Sequence, residues 1–276
     1  CLKNREADET ITADTIFRIY SMTKPVAGVA LLMLYEEGRF MLNDPVARYL
    51  PELADLQVAV ATADGNAEAE PGAIREPGRQ PTIRDLMRHT AGFTYGIFGN
   101  SPVDKLYREA RLFQADNLAE FVKILGTLPL QYEPGSRWHY SVSVEVQSRL
   151  VEVLSGMSFA EFLNSRLFTP LDMRDTHFVL PADKHDRLAQ LYSPRGSRAG
   201  RDGVWEMGDN RDLVVADPEL SRGTLEGGVY EGGGSGLVST SRDYLRFAQM
   251  LLNGGELDGV RILRSEEHTF ELQSQF

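Results

Sequence analysis

The apolar positions of this chain fall into short blocks, and the strongest of them runs from Val26 to Tyr35. It is apolar nearly all round, which marks a helix buried on every face rather than an amphipathic one. The surrounding run FRIYSMTKPVAGVALLMLYEEG predicts a helix from about Ser21 to Glu37. Pro25 falls in or beside its first turn, where proline is tolerated, and Gly38 ends it. Upstream, residues 1–15 are polar and read as a strand end or loop leading to Ile16-Phe17-Arg18.

Downstream, Asn43-Asp44-Pro45 predicts a short helix that closes before Pro51. Residues 59–80 are rich in Ala, Gly, Pro and acids and predict a surface loop. Thr82-Ile83-Arg84-Asp85 has the form of a capping box opening a helix through Arg88. His89-Thr90-Ala91-Gly92 follows as a turn. Further helices are predicted near 103–112, at 116–126 starting from Asp116, from Ser141 to about Leu154, and over Phe159–Leu167. Residues 181–224 lack a clear period and read as loops with short strands. Gly227–Gly236 is glycine-rich, and Thr240–Asp243 caps a last helix ending at Asn253-Gly254-Gly255. Helices dominate and no repeat is visible.

Composition narrows the classes. At 276 residues the chain suits one large domain or two small ones. A net charge of −11 argues against nucleic acid or an anionic membrane as partner. The longest apolar run is far short of the roughly 20 residues that span a bilayer. Cys1 is the only cysteine, so there is no disulfide framework and no cysteine metal site. Cysteine usage leaves the compartment open. Position 1 is not Met and nothing there resembles a signal peptide; the chain is read as entering in mid-structure.

Candidate chemistry centres on Ser21 and Lys24. On a helix, positions i and i+3 share a face with Cβ atoms about 5–6 Å apart. Serine is a weak nucleophile unless a base lies within hydrogen-bond reach, and a lysine one turn on is such a base when its surroundings lower its pKa. Ser-x-x-Lys is nevertheless a loose pattern, and a serine at a helix start also serves as a plain cap. Tyr140, at a loop-to-helix junction beside two aromatic rings, is either packing or a proton relay.

Other motifs are set aside. GGVYEGGGSG lacks the Lys-Ser/Thr of a phosphate loop and reads as a tight turn where side chains would not fit. Gly156-Met157-Ser158-Phe159-Ala160 only approximates a nucleophile elbow. The histidines at 89, 139, 177, 185 and 268 have no metal-ligand spacing. No cofactor and no metal are expected.

Four blocks taken together resemble the serine β-lactamase and penicillin-binding-protein superfamily, in its class C-like esterase branch. They are FRIYSMTKPVAGVALLMLYEEGRFMLNDPVARYLPEL, TIRDLMRHTAGF, EPGSRWHYSVSVEVQSRLVEVLSGMSF and GGGSGLVSTSRDYLRFAQMLLNGGELDGVRIL, and their order and spacing carry the resemblance over about residues 11–263. It implies an α+β fold, mostly the helical region with an incomplete antiparallel sheet. It implies Ser21 as the acylated nucleophile, Lys24 as its base partner and Tyr140 as the second proton-transfer group. The substrate class it implies is a small ester or amide. The leading expectation is an esterase; a β-lactamase, a D-Ala-D-Ala peptidase-like enzyme and a non-catalytic binding or scaffold protein are the alternatives. Oligomeric state stays open.

Two departures bear on this. β-Lactamases of this type carry Tyr-x-Asn, whereas the third position here is Val142, which favours an esterase with a more apolar pocket. The family's last motif, Lys/His/Trp-x-Gly on a strand lining the site, has no counterpart. After Leu263 the chain reads RSEEHTFELQSQF, which resembles the in-frame translation of a common sequencing adapter with one substitution, at Phe270. The expectation is therefore a hydrolase domain over residues 1–263, truncated at both ends, and a non-native tail over 264–276. Such a chain is expected to be inactive, because losing one oxyanion donor costs about 10²–10³ in rate.

Overall fold

The computed structural model describes residues 1–60, 74–199, 205–206, 208–227 and 230–264. Strands β1 (Leu2–Asn4) and β2 (Glu9–Thr10) form an antiparallel pair where the sequence reads as a strand end or loop. β3 (Ile16–Arg18) follows. The chain then makes a 3₁₀ turn, Tyr20–Met22, before helix α1 (Thr23–Glu36). The α-helix thus begins two residues later than the apolar pattern predicts. Tyr20 has left-handed backbone, φ 43°, and that kink lifts Ser21 off the helix. Thr23 to Leu34 are all buried, as expected for a helix apolar on every face. Gly38 follows the end of α1 at φ 71°, its N–H on the Tyr35 carbonyl.

The helix expected after Asn43 is two 3₁₀ turns, Val46–Arg48 and Pro51–Leu53. The predicted loop over 59–80 lies partly outside the described residues. Its flanks pair as β4 (Val58–Ala59) and β5 (Ile74–Arg75). The capping box at Thr82 and Asp85 forms as predicted and opens α2 (Ile83–Met87). α3 (Pro102–Glu109) starts from a second capping box, Ser101 and Asp104. α4 (Leu118–Leu125) is capped by Asn117 rather than Asp116. Asn117 takes the extended conformation and accepts the Glu120 N–H, whereas the Asp116 N–H donates to the Glu120 carboxylate. α5 (Ser143–Ser155) ends on Gly156 at φ 75°. α6 (Phe159–Leu163) runs into a π turn, Asn164–Phe168.

The 181–224 stretch holds more structure than its composition shows. β6 (Tyr192–Arg195) pairs with β9 (Asp209–Val215), and β7 (Arg198–Ala199) with β8 (Trp205–Glu206). α7 (Glu219–Glu226) follows. β10 (Val238–Thr240) returns to pair antiparallel with β3, Ser239 opposite Phe17. Thr240 caps α8 (Ser241–Leu252) as predicted. β11 (Glu256–Leu257) and β12 (Val260–Arg261) close a hairpin over Asp258-Gly259, both at positive φ, the conformation that two-residue hairpins favour.

The fold is α+β: a helical region around α1, with small antiparallel pairs among the described residues. α1 packs against α5, and α5 in turn against α2, α4 and α6. One continuous core joins these helices. All but the first residue of the 264–276 tail lies outside the described residues.

Candidate active site

Ser21 stands exposed on the 3₁₀ turn, and its side chain caps neither that turn nor α1. The turn is pinned from three sides. The Ile19 N–H donates to the Leu237 carbonyl at 3.1 Å, the Leu237 N–H donates to Thr23 Oγ1 at 3.2 Å, and the Tyr244 hydroxyl donates to the Met22 carbonyl at 3.0 Å. β10, its approach and α8 therefore set where the serine sits.

The structure brings together all three residues singled out in the sequence. Ser21 Oγ lies 2.8 Å from the Tyr140 hydroxyl and 3.2 Å from Lys24 Nζ. Lys24 is only 4 % exposed. It also donates to the Gly234 carbonyl at 2.6 Å, and its ammonium lies 4.8 Å from the Tyr140 ring centroid and 5.4 Å from that of Tyr95. A buried cation is costly unless hydrogen-bonded; here a hydroxyl, a carbonyl and two ring faces surround it.

Tyr140 is held by the turn at His89. That residue has left-handed backbone, φ 52°. Its carbonyl accepts the His139 N–H at 2.8 Å, and its Nδ1 accepts the Ser141 N–H at 3.3 Å. The His89 and Tyr140 rings lie 5.0 Å apart. Burial, then the charges of Lys24 and His139, push the His89 pKa down to about 4. The ring is thus neutral near pH 7, and with Nδ1 accepting, its proton is assigned to Nε2.

Sequence reasoning missed three parts of this site. Gly234 supplies the carbonyl on Lys24, and a Cβ there would stand 1.9 Å from Glu145 Oε1. A Cβ on Gly233 would stand 2.0 Å from Ser148 Oγ. The glycine-rich stretch is thus a close backbone approach, as its composition implied, but its target was not legible. Glu145 is a buried carboxyl whose pKa burial raises to about 7, against the opposing charge of Lys24. The signal for it was an acid five residues after Tyr140 in an apolar helix. The third part is an aromatic wall. Tyr95, Phe98 and Trp138 have ring centroids 5.2, 6.1 and 6.2 Å from that of Tyr140. Phe98 and Trp138 are 73 % and 56 % exposed. Val142 is fully buried in the core. Among the described residues no group of three or more His, Cys, Asp or Glu side chains could hold a metal, and no helix is long and apolar enough to cross a membrane.

Ser21, the buried Lys24 and Tyr140 thus meet at the head of a buried helix. The chain belongs to the β-lactamase family, whose model matches residues 2–271. Protein Rv1367c of Mycobacterium tuberculosis is 33% identical over 261 residues, covering 95% of this chain and 60% of that protein. Esterase EstB of Burkholderia gladioli is 32% identical, over 89% of this chain and 59% of its own length. Among solved structures, simvastatin synthase LovD from Aspergillus terreus superposes with a TM-score of 0.72 at 24% identity, over 97% of this chain and 60% of that one. EstCE1, a hydrolase with promiscuous acyltransferase activity, gives 0.69 at 24%, over 94% and 64%. These two likenesses are of fold. The chain spans about 60% of the length of the curated relatives it matches.

Proposed function

We propose that the chain carries the catalytic centre of a serine acyl hydrolase acting on small esters, with residues 1–263 as its hydrolase domain. The observation that carries this reading is Ser21 Oγ within 2.8 Å of the Tyr140 hydroxyl and 3.2 Å of Lys24 Nζ. The serine oxygen attacks the ester carbonyl. Its proton passes into the Lys24–Tyr140 pair, which is treated as one coupled unit rather than as a single base. The tetrahedral oxyanion collapses, the C–O bond to the alcohol breaks, and the pair returns the proton to the leaving oxygen. Water then attacks the acyl-serine, giving up a proton to the same pair; the bond from the acyl carbon to Ser21 Oγ breaks, the pair returns the proton to that oxygen, and the acid leaves.

An ester rather than a β-lactam is favoured by Val142, which offers no amide at the position where β-lactamases of this type carry asparagine. The relatives named as esterases support the same choice. The aromatic wall beside Tyr140 suits an apolar leaving group. A D-Ala-D-Ala peptidase-like activity is the second reading, supported by 26% identity to a putative D-alanyl-D-alanine carboxypeptidase of Salmonella typhimurium.

Acylation is the step to measure, because a single labelling event stays detectable even when a missing oxyanion donor slows it by about 10²–10³. Wild-type protein should be labelled at Ser21 by a fluorophosphonate, and Ser21→Ala should not be. Equal labelling of the two would overturn the assignment.

A further inference from the structure

A cavity of about 440 Å³ is lined among others by Arg18, Tyr20, Leu220, Thr224, Tyr230 and Ser235. Two of these residues fix its place. Tyr20 immediately precedes Ser21, and Ser235 immediately follows Gly234, whose carbonyl holds Lys24. The cavity shares no lining residue with the aromatic wall of Tyr95, Phe98, Trp138 and Tyr140.

Arg18 is the unexplained group in it. The side chain is half-buried, and burial lowers its pKa. Nη1 donates to the Ala189 carbonyl at 3.1 Å and Nη2 to Ser221 Oγ at 2.6 Å. Nε is buried with no partner among the described residues. Each terminal nitrogen keeps a second N–H, since guanidinium carries five donors in all. Among the described residues no carboxylate lies within ion-pair distance of Arg18, although most other arginines here have one. A half-buried guanidinium with spare donors and no carboxylate partner among the described residues suits a carboxylate ligand. The one acid on the cavity wall, Glu231, is turned elsewhere. Its Oε2 accepts the Ala160 N–H at 2.5 Å, and burial raises its pKa.

We infer that this cavity is a subsite for the acyl half of the substrate and that Arg18 selects acyl chains ending in a carboxylate, the half-esters of short dicarboxylic acids. The assignment to the acyl half rests on the proposed return of the proton from the Lys24–Tyr140 pair to the leaving oxygen, taken through the Tyr140 hydroxyl. The alcohol then lies toward Tyr140 and its aromatic wall, and the separate cavity takes the other half. Tyr20, Thr224 and Ser235 add hydroxyl groups along the way to the guanidinium.

The test compares acylation of the whole chain by 4-nitrophenyl hydrogen glutarate and by the neutral 4-nitrophenyl pentanoate. Arg18→Met should slow the anionic ester by roughly 10- to 100-fold, the worth of a charged hydrogen bond, and change the neutral one by less than about 3-fold. Arg18→Lys should recover part of the loss. Binding of monomethyl glutarate to the Ser21→Ala protein, read by calorimetry, should disappear when Arg18→Met is added. Equal losses with both esters, or none, would overturn the subsite, because a merely structural arginine cannot tell the two acyl chains apart. If neither ester nor the fluorophosphonate acylates Ser21 but monomethyl glutarate binds through Arg18, the hydrolase reading fails and the subsite stands. If both esters acylate at rates indifferent to Arg18, the reverse holds.

Discussion

Glu145 and His89 show how single side chains around Lys24 couple the site to pH. Burial holds the Glu145 carboxyl protonated up to about pH 7, against 4.5 for an ordinary glutamate. The folded protein therefore binds more protons than the unfolded chain between those values, and stability falls as pH rises through that window. The magnitude is on the order of 3 kcal/mol for a shift of this size. His89 acts in the opposite direction. Its pKa drops from 6.5 to about 4, so the unfolded chain binds the extra proton there and stability rises with pH between those values. The two slopes offset each other over most of their shared range. Glu145→Gln should unmask the histidine, and urea midpoints at pH 5, 6 and 7.5 should then climb more steeply than in the wild type. Parallel pH profiles would show that Glu145 does not titrate in this window. His89 stands in the block TIRDLMRHTAGF, but its contact with Tyr140 was not legible, and nothing singled out Glu145. Both matter through burial, which a sequence does not display.

At the scale of elements, the short helix α2 links local sequence to the site. Asp85 closes its capping box on Thr82 and also takes a two-pronged hydrogen bond from Arg79, at 2.6 and 2.9 Å, and one from the Thr90 hydroxyl at 3.0 Å. The turn that follows carries His89 and thereby Tyr140. Asp85→Ala should cost about 2–4 kcal/mol, less than a fully buried pair because Arg79 is partly exposed. It should also slow Ser21 acylation by loosening the His89 turn, with chemical denaturation and fluorophosphonate labelling as the two readouts. Normal labelling at full stability would remove α2 from the account. The capping box was readable because its two partners lie three residues apart; Arg79 was not, because nothing in its surroundings marks it as a partner. The same contrast runs through the fold. α1 and α8 announce themselves by an all-round apolar run and a Thr-x-x-Asp start. The strand pairs are two to seven residues long, too short to show a period, and α7 is hidden in the polar run ELSRGTLE.

For the whole molecule, the net charge of −11 and the Arg18 subsite pull an anionic ester in opposite directions. The overall field repels such a substrate at long range, and exposed charges more than a Debye length apart are screened by salt, about 30 Å at 0.01 M and about 8 Å at 0.15 M. The attraction of Arg18 acts at contact, from a half-buried position, and is screened far less. Raising salt from 0.01 to 0.15 M should therefore quicken acylation by 4-nitrophenyl hydrogen glutarate, by about 2-fold or more, and leave 4-nitrophenyl pentanoate unchanged. In Arg18→Met the relative gain should persist while the absolute rate stays low, because the repulsion belongs to the whole surface and the recognition to one side chain. Stopped-flow release of nitrophenolate across that salt range measures both. A rate that falls with salt for the anionic ester alone would mean that the field at the mouth of the site is positive, and that recognition of the carboxylate begins before the substrate reaches Arg18.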